Sequence, residues 1–295
     1  MDGLAPEVVG TAGEDLIDDP RSFYKMSGSG NDFVFFDLSD GSAGALERPE
    51  VIRAISARGT GVGADGVVFL EPGADDGFTI RYYNSDGSLG ELCGNATLCA
   101  VRLANEIGIV SSPELRIRTD AGIVHARMAD GLPEIDLAPV TEVMLEVPSI
   151  PRLSRESALG FARAGVPHIV IIDEDVETAD ILGRGSKVRR DPSLKDGANV
   201  NFVTRTPDGW KVRTYERGVE GETLACGTGA VATGILLTEW GEASSPVELI
   251  TRSNRRLRVT VRKADGAWEP SFRGPADIVF VGELRDFAGA SGSTR

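Results

Sequence analysis

A chain of 295 residues with 41% hydrophobic and 26% charged residues has the balance of a folded protein with a sizeable core, and the length favours two domains over one. Its formal net charge of −14 argues against nucleic acid or anionic membrane as a partner, because phosphate binding needs basic patches. No run approaches the roughly 20 apolar residues that span a bilayer, and three cysteines are too few, and odd in number, for a disulfide framework, so a reducing, cytoplasmic setting is expected.

Residues 1–20 are acidic, lack the basic and apolar segments of a signal peptide, and read as a flexible tail. Strands are expected at Phe33–Leu38, Gly66–Leu70 and Phe78–Tyr83, with a helix over Pro49–Arg58. A second helix is expected over Asn95–Ile107, stopped by Gly108, followed by strands at Glu114–Arg118 and Ile123–Met128. A passage punctuated by Pro and Gly runs from Asp130 to Pro151, and the domain boundary is placed near its start, giving lobes at 21–131 and 132–277. The first lobe is expected to be completed by a C-terminal strand near 278–286. Strands then follow at Ser154–Arg163, His168–Asp173, Asn201–Arg205 and Trp210–Tyr215. Gly227–Trp240 reads as a helix that is apolar all round, hence buried, ended by Gly241. Strands close the chain at Val247–Ile250, Leu257–Val261 and Ile278–Val281, and 287–295 read as a disordered tail.

Each half thus holds several strands around one helix that begins just after a cysteine: Leu92-Cys93-Gly94-Asn95 in the first, Ala225-Cys226-Gly227-Thr228-Gly229 in the second. Internal duplication is the economical reading. A helix start offers free N–H groups and a positive dipole end, which favours an anion and is expected to lower a thiol's pKa. Two such thiols suggest one site, with a thiolate removing a proton from one face of an α-carbon and a thiol delivering one to the other. Helix N–H donors would stabilise the charge that develops, with neither metal nor cofactor.

Competing motifs are weaker. Gly61-Val62-Gly63-Ala64-Asp65-Gly66 matches GxGxxG, but a strand follows where a dinucleotide site needs a helix, so a turn is expected. Gly28-Ser29-Gly30 reads as a tight turn. Cys93 and Cys99 lack metal-ligand spacing, and there are only two histidines. His125 on an alternating strand and Cys99 on a helix read as structural. His168, after Pro167, is by itself balanced between a packed ring and a site residue.

Taken together, the blocks resemble the diaminopimelate epimerase family from about Phe23 to Val281. They are Lys25–Phe33, Gly61–Gly66, Tyr83–Ser88 with Cys93-Gly94-Asn95, Gly165–His168, Asn199–Val203, Arg213–Gly218, and Glu222–Gly229. The resemblance implies an α/β fold of two pseudo-symmetric lobes, each a strand-rich, barrel-like sheet around a central helix, with the site in the cleft. It implies a cofactor-independent isomerase that interconverts LL- and meso-2,6-diaminoheptanedioate. Cys93 and Cys226 would be the acid–base pair, with Glu216 and His168 beside the reacting centre, setting protonation and binding ammonium. The N–H groups of Gly94, Asn95, Gly227 and Thr228 would hold the reacting carboxylate. Asn31, Asn84, Asn199 and Arg217 would contact substrate, Arg217 gripping the distal carboxylate.

The chain departs from the family pattern at Val166, at Ala96-Thr97-Leu98 (which loses a basic residue near the helix start), at Leu89 (although Glu91 is close), and at Glu220, which lengthens the link to Cys226. A proline racemase or hydroxyproline epimerase is the alternative enzyme, and a non-catalytic thiol-containing binding protein the alternative from another class. The expected partner is a small molecule. A homodimer is compatible with the sequence but is carried by no motif in it.

Overall fold

The computed structural model describes residues 21–73, 77–90 and 92–285; the tails expected at 1–20 and 287–295, and Glu91, lie outside the described residues. The first half opens with a hairpin of β1 (Arg21–Gly28) and β2 (Asn31–Asp37), turned at Ser29 and Gly30, whose φ of 123° suits glycine. There follow α1 (Pro49–Ser56), β3 (Gly66–Pro72), β4 (Phe78–Asn84), β5 (Leu89–Gly90), α2 (Gly94–Glu106), β6 (Glu114–Thr119), β7 (Gly122–Ala129) and β8 (Leu132–Asp136). The second half comprises β9 (Val143–Met144), β10 (Glu156–Ala164), β11 (Val166–Asp173), α3 (Ile181–Arg189), β12 (Asn199–Thr206), β13 (Gly209–Glu216) and β14 (Gly221–Thr223). It continues with α4 (Gly227–Glu239), β15 (Val247–Ile250), β16 (Arg256–Ala264), β17 (Ala267–Arg273) and β18 (Ala276–Leu284).

The pairing repeats. From β1 through β2, β3, β4, β6, β7 and β8 the senses run antiparallel, parallel, antiparallel, parallel, antiparallel, antiparallel. From β10 through β11, β12, β13, β15, β16 and β17 they run the same way. The short β5 and β14 lie on β4 and β13, each just before its helix. An antiparallel seam between β8 and β17, with Phe272 opposite Ile135, makes the two halves one sheet. At the far ends, β18 pairs with β1 and β9 with β10. This is a mixed α/β fold, strand-rich with few helices and a duplicated topology.

Strand faces decide what each helix covers. Phe33 and Phe35 of β2 pack with α2 in the main core, whereas Val34 and Phe36 pack with Val51, Ile52 and Ile55 of α1 on the other side. Burial on both faces explains the unbroken apolar run there. In the second half Val170 and Ile172 join the α4 core, while Ile169 and Ile171 face Ile181 and Val188 of α3. Helix α4 is buried without interruption from Gly229 to Leu237, as its all-round apolar character requires.

Strand β1 and the short β5, β9 and β14 were not expected, and three further elements have instructive reasons for being missed. The Pro- and Gly-punctuated passage after Asp130, where no strand was expected, contains β8, masked in sequence by Pro133 and by Glu134, a buried charge that accepts from Ser271 Oγ at 2.6 Å and pairs with Arg127. Strand β17 begins beyond Gly266 and completes the seam with β8. Helix α3 carries Gly183 and Gly185, poor helix formers, yet it is started by Asp180, whose carboxylate accepts from the Gly183 N–H at 2.9 Å. Gly185 is needed because a Cβ there would lie 2.6 Å from Tyr215 Cβ. Among the described residues, no helix is long and apolar enough to cross a membrane.

Candidate active site

The two cysteines occupy equivalent places. Cys93 caps α2 and Cys226 caps α4, both in extended backbone conformations, with φ/ψ of −125°/114° and −142°/109°. Each carbonyl accepts the first intrahelical bond, Thr97 N–H to Cys93 and Ala230 N–H to Cys226, both at 2.9 Å. The earlier N–H groups of each helix have no intrahelical acceptor, so each first turn presents donors and the positive dipole end.

Phe272 brings the two starts together. A Cβ placed at Gly94 would meet its ring at 3.7 Å, and one at Gly227 at 3.3 Å. The Gly227 position also lies 3.6 Å from Asn95 Oδ1. Both helices therefore begin over the β8–β17 seam, with small residues allowing the approach.

Beside them opens a cleft of 720 Å³, lined among others by Asn31, Asp65, Tyr82, Asn84, Cys93 and Glu216, with Arg217 and exposed Val219 and Leu224 at its rim. Cys226, His168, Asn199, Gly94, Asn95 and the Gly227–Thr228 turn are not among the residues that line it. Asn95 is buried, and its Nδ2 donates to Asn31 Oδ1 at 2.7 Å. Asn31 Nδ2 donates in turn to Asp65 Oδ2 at 2.9 Å, and Arg58 holds the other Asp65 oxygen at 2.8 Å. Asn84 is clasped at both ends, accepting from the Tyr82 hydroxyl at 2.9 Å and donating to Ser88 Oγ at 3.0 Å. Asn199 is buried and accepts from the Arg217 N–H at 2.7 Å, so it shapes the segment that carries the guanidinium.

Electrostatics revise one expectation. Both thiols are held up, not down: Cys93 at about 11 and Cys226 at about 12. Burial is the main cause in each, and the Glu216 carboxylate adds to it. The N–H groups of Ala96 and Asn95 at Cys93, and the Thr228 hydroxyl and Gly229 N–H at Cys226, oppose the rise without cancelling it. Helix-start stabilisation is present, but desolvation of the sulfur outweighs it. Glu216 is itself pushed up by burial, partly offset by the Thr223 hydroxyl. His168 is fully buried and held down to about 3, by burial first and then by the charge of Arg217. All three cysteines are free, and Cys99 is fully enclosed in the core.

Other sequence features take their places. Gly61 belongs to a turn before β3, where a Cβ would lie 2.0 Å from the Ala54 carbonyl oxygen. Leu98, which stands where a basic residue was expected, is fully buried in the α2 core and so presents no face to the cleft. Glu220 pairs with Arg189 at 2.7 Å and Arg190 at 2.8 Å, fastening the longer link down. Sequence reasoning passed over Asp65, Tyr82, Asn201 and Phe272. Asp65 and Asn201 stood within quoted blocks, but nothing in their spacing separated them from turn or strand residues.

A family model for diaminopimelate epimerase matches residues 23–141 and 160–271. The diaminopimelate epimerase of Gemmatimonas aurantiaca is 46% identical over 275 residues, covering 89% of this chain and 99% of its own. That of Aquifex aeolicus is 37% identical, covering 90% and 98%. In fold the chain is similar to a PhzF-family phenazine biosynthesis protein of Bacillus anthracis, with a TM-score of 0.71 at 14% identity over 90% of this chain and 99% of that one. It is also similar to a hydroxyproline epimerase from Agrobacterium vitis, with a TM-score of 0.64 at 16% identity over 93% and 96%. With its duplicated sheet and its two cysteine-capped helix starts meeting at one seam, the chain belongs to the diaminopimelate epimerase family.

Proposed function

We propose that this protein interconverts LL- and meso-2,6-diaminoheptanedioate by two-base proton exchange at an α-carbon, in the supply of lysine and peptidoglycan precursors. The observation that carries the mechanism is the convergence of two equivalent Cys-capped helix starts on Phe272 beside a cleft holding Glu216 and Arg217.

The reacting α-carboxylate is held by the N–H groups of Gly94, Asn95, Gly227 and Thr228, which concentrate positive potential where enolate-like charge develops. One cysteine, as thiolate, takes the α-proton, and the Cα–H electron pair passes into the carboxylate. The other, as thiol, returns a proton to the opposite face, and the two exchange protonation states. In the open cleft both thiols are protonated, so one must ionise when substrate enters. Two ammonium groups arriving beside Glu216 and Asp65 offset the anionic contribution that adds to burial in holding the thiols up, and the water that bound substrate displaces makes that attraction stronger. Glu216, with its own raised pKa, takes the proton that the thiol gives up, and its carbonyl oxygen still accepts from an ammonium group. Arg217, Asn84 and Asn31 serve the distal amino-acid head, and Asn199 does so through Arg217. A proline-type substrate has no second head for these groups.

Two lobes enclose this cleft, expected at 21–131 completed by β18 and at 132–277; the pairing of β8 with β7 moves the boundary to just beyond β8. A cytoplasmic, reducing setting suits the free thiols. We take the assembly to be a homodimer: β18 pairs only with β1 among the described residues, and it exposes Val279, Phe280 and Val281 side by side. A monomer in sedimentation would contradict this. The catalytic reading is tested by supplying LL-diaminopimelate in heavy water. Meso product with α-deuterium is expected, and labelling of proline instead would overturn the substrate assignment.

A further inference from the structure

His168 sits at the start of β11 on the face that packs under α4, with Asn201 of the adjacent β12 beside it. Asn201 is fully buried, and each end of its amide is accounted for. Its nitrogen lies 3.0 Å from the Ile169 carbonyl oxygen and 3.2 Å from His168 Nδ1. Its oxygen accepts from Thr214 Oγ1 at 2.9 Å. A carbonyl oxygen can only accept, so the NH₂ end faces Ile169, and the same NH₂ faces the ring. Nδ1 is therefore the acceptor.

A neutral imidazole with a bare Nδ1 carries its proton on Nε2. That atom is buried and has no hydrogen-bond partner among the described residues. The same amide also supports the catalytic helix, since a Cβ at Gly229 in the first turn of α4 would lie 2.3 Å from Asn201 Oδ1.

We propose that Asn201 is a positioning residue that locks His168 as the Nε2–H tautomer, so that the ring serves the reaction as a neutral hydrogen-bond donor and not as a base. The inference rests on the epimerase reading for the reaction that His168 serves. It changes the part expected of His168: a donor cannot accept from an ammonium group, so that contact falls to Glu216. The Nε2–H is left for negative charge that forms beside it, on a thiolate or on the reacting carboxylate. A buried polar donor kept without a protein partner costs stability, which is consistent with a group retained for function.

The chain has two histidines, and His125 lies exposed on β7, so nitrogen-15 spectra of histidine-labelled protein resolve His168 once His125→Gln has identified the other ring. The native ring is expected to show a bare Nδ1 and a protonated Nε2, unchanged between about pH 5 and 8. Asn201→Asp puts an acceptor-only group against Nδ1 and is expected to move the proton there, lowering kcat on LL-diaminopimelate on the order of 10²-fold with KM near native. Thr214→Val, which frees the amide oxygen without adding charge, is expected to loosen the tautomer preference and lower kcat by a smaller factor in a folded protein. A native ring protonated at Nδ1 overturns the proposal, and so does an Asn201→Asp protein with native tautomer and native kcat. If the native protein shows the Nε2–H ring but never turns over diaminopimelate, the epimerase reading fails while the tautomer assignment stands.

Discussion

Replacing Gly229 with alanine probes how tightly the second helix start is fitted. The added Cβ would stand 2.3 Å from Asn201 Oδ1, where ordinary contact begins at 3.4 Å, a deficit of about 1.1 Å. An atom at the end of a free side chain would move aside, but this one is held at 2.9 Å by Thr214, and its amide nitrogen at 3.0 Å by Ile169. If Asn201 yields, buried polar groups lose partners, at a cost of about 1–3 kcal/mol. If α4 yields instead, Cys226 is carried off by a similar distance, and a misplacement of about 1 Å can cost on the order of 10²-fold in rate. Gly229→Ala is therefore expected to lower the unfolding temperature by a few degrees and kcat by at least about tenfold. Thermal unfolding and the rate of α-deuterium gain in heavy water measure the two effects. Gly41→Ala, whose Cβ meets nothing nearer than 3.9 Å, serves as the control. A Gly229→Ala protein with native melting and native kcat would refute the packing argument.

Glu216→Gln removes the anion that helps hold both thiols up, so the alkylation of Cys93 and Cys226 by iodoacetamide should shift to lower pH; an unchanged curve contradicts the assigned cause. His168 has a folded-state pKa of about 3 against an ordinary 6.5, so the stability it confers is complete above 6.5 and is lost as pH falls toward 3, by up to about 5 kcal/mol. Urea melts of His168→Gln should accordingly lose less stability than native protein over that acid range, and equal slopes would contradict it. Because the resting thiols are protonated, peroxide should inactivate the free enzyme more slowly than it oxidises an unhindered peptide thiol at pH 7. Faster inactivation would restore the low-pKa thiols that sequence alone suggested.

Local signals carried much of the fold. The Phe33–Phe36 run, the all-apolar Gly227–Trp240 segment and the Gly108 and Gly241 stops mark elements whose burial or termination depends on their own residues. What stayed hidden depends on distant partners. The charge of Glu134 is tolerable inside β8 because Arg127, Arg273 and Ser271 meet it across the sheet. Gly183 and Gly185 suit α3 only because Asp180 caps it and Tyr215 presses on it. At the site, the paired Cys-Gly motifs were visible in sequence, as was the acidic and basic pair Glu216-Arg217. The sign of the thiol shifts was not, because it turns on how completely the fold removes each sulfur from water. Asn201 was equally silent: its meaning lies in which end of an amide faces a histidine 33 residues away.

The central claim, that two cysteines act from opposite faces of one α-carbon, is tested most directly by deuterium wash-in at early conversion. LL-diaminopimelate is turned over in heavy water, and the deuterium at Cα is read separately in meso product and recovered substrate. With two bases, the product should carry solvent deuterium while recovered substrate still holds its original proton. Substrate that gains deuterium as fast as product forms would mean that one base works both faces, and would contradict the account.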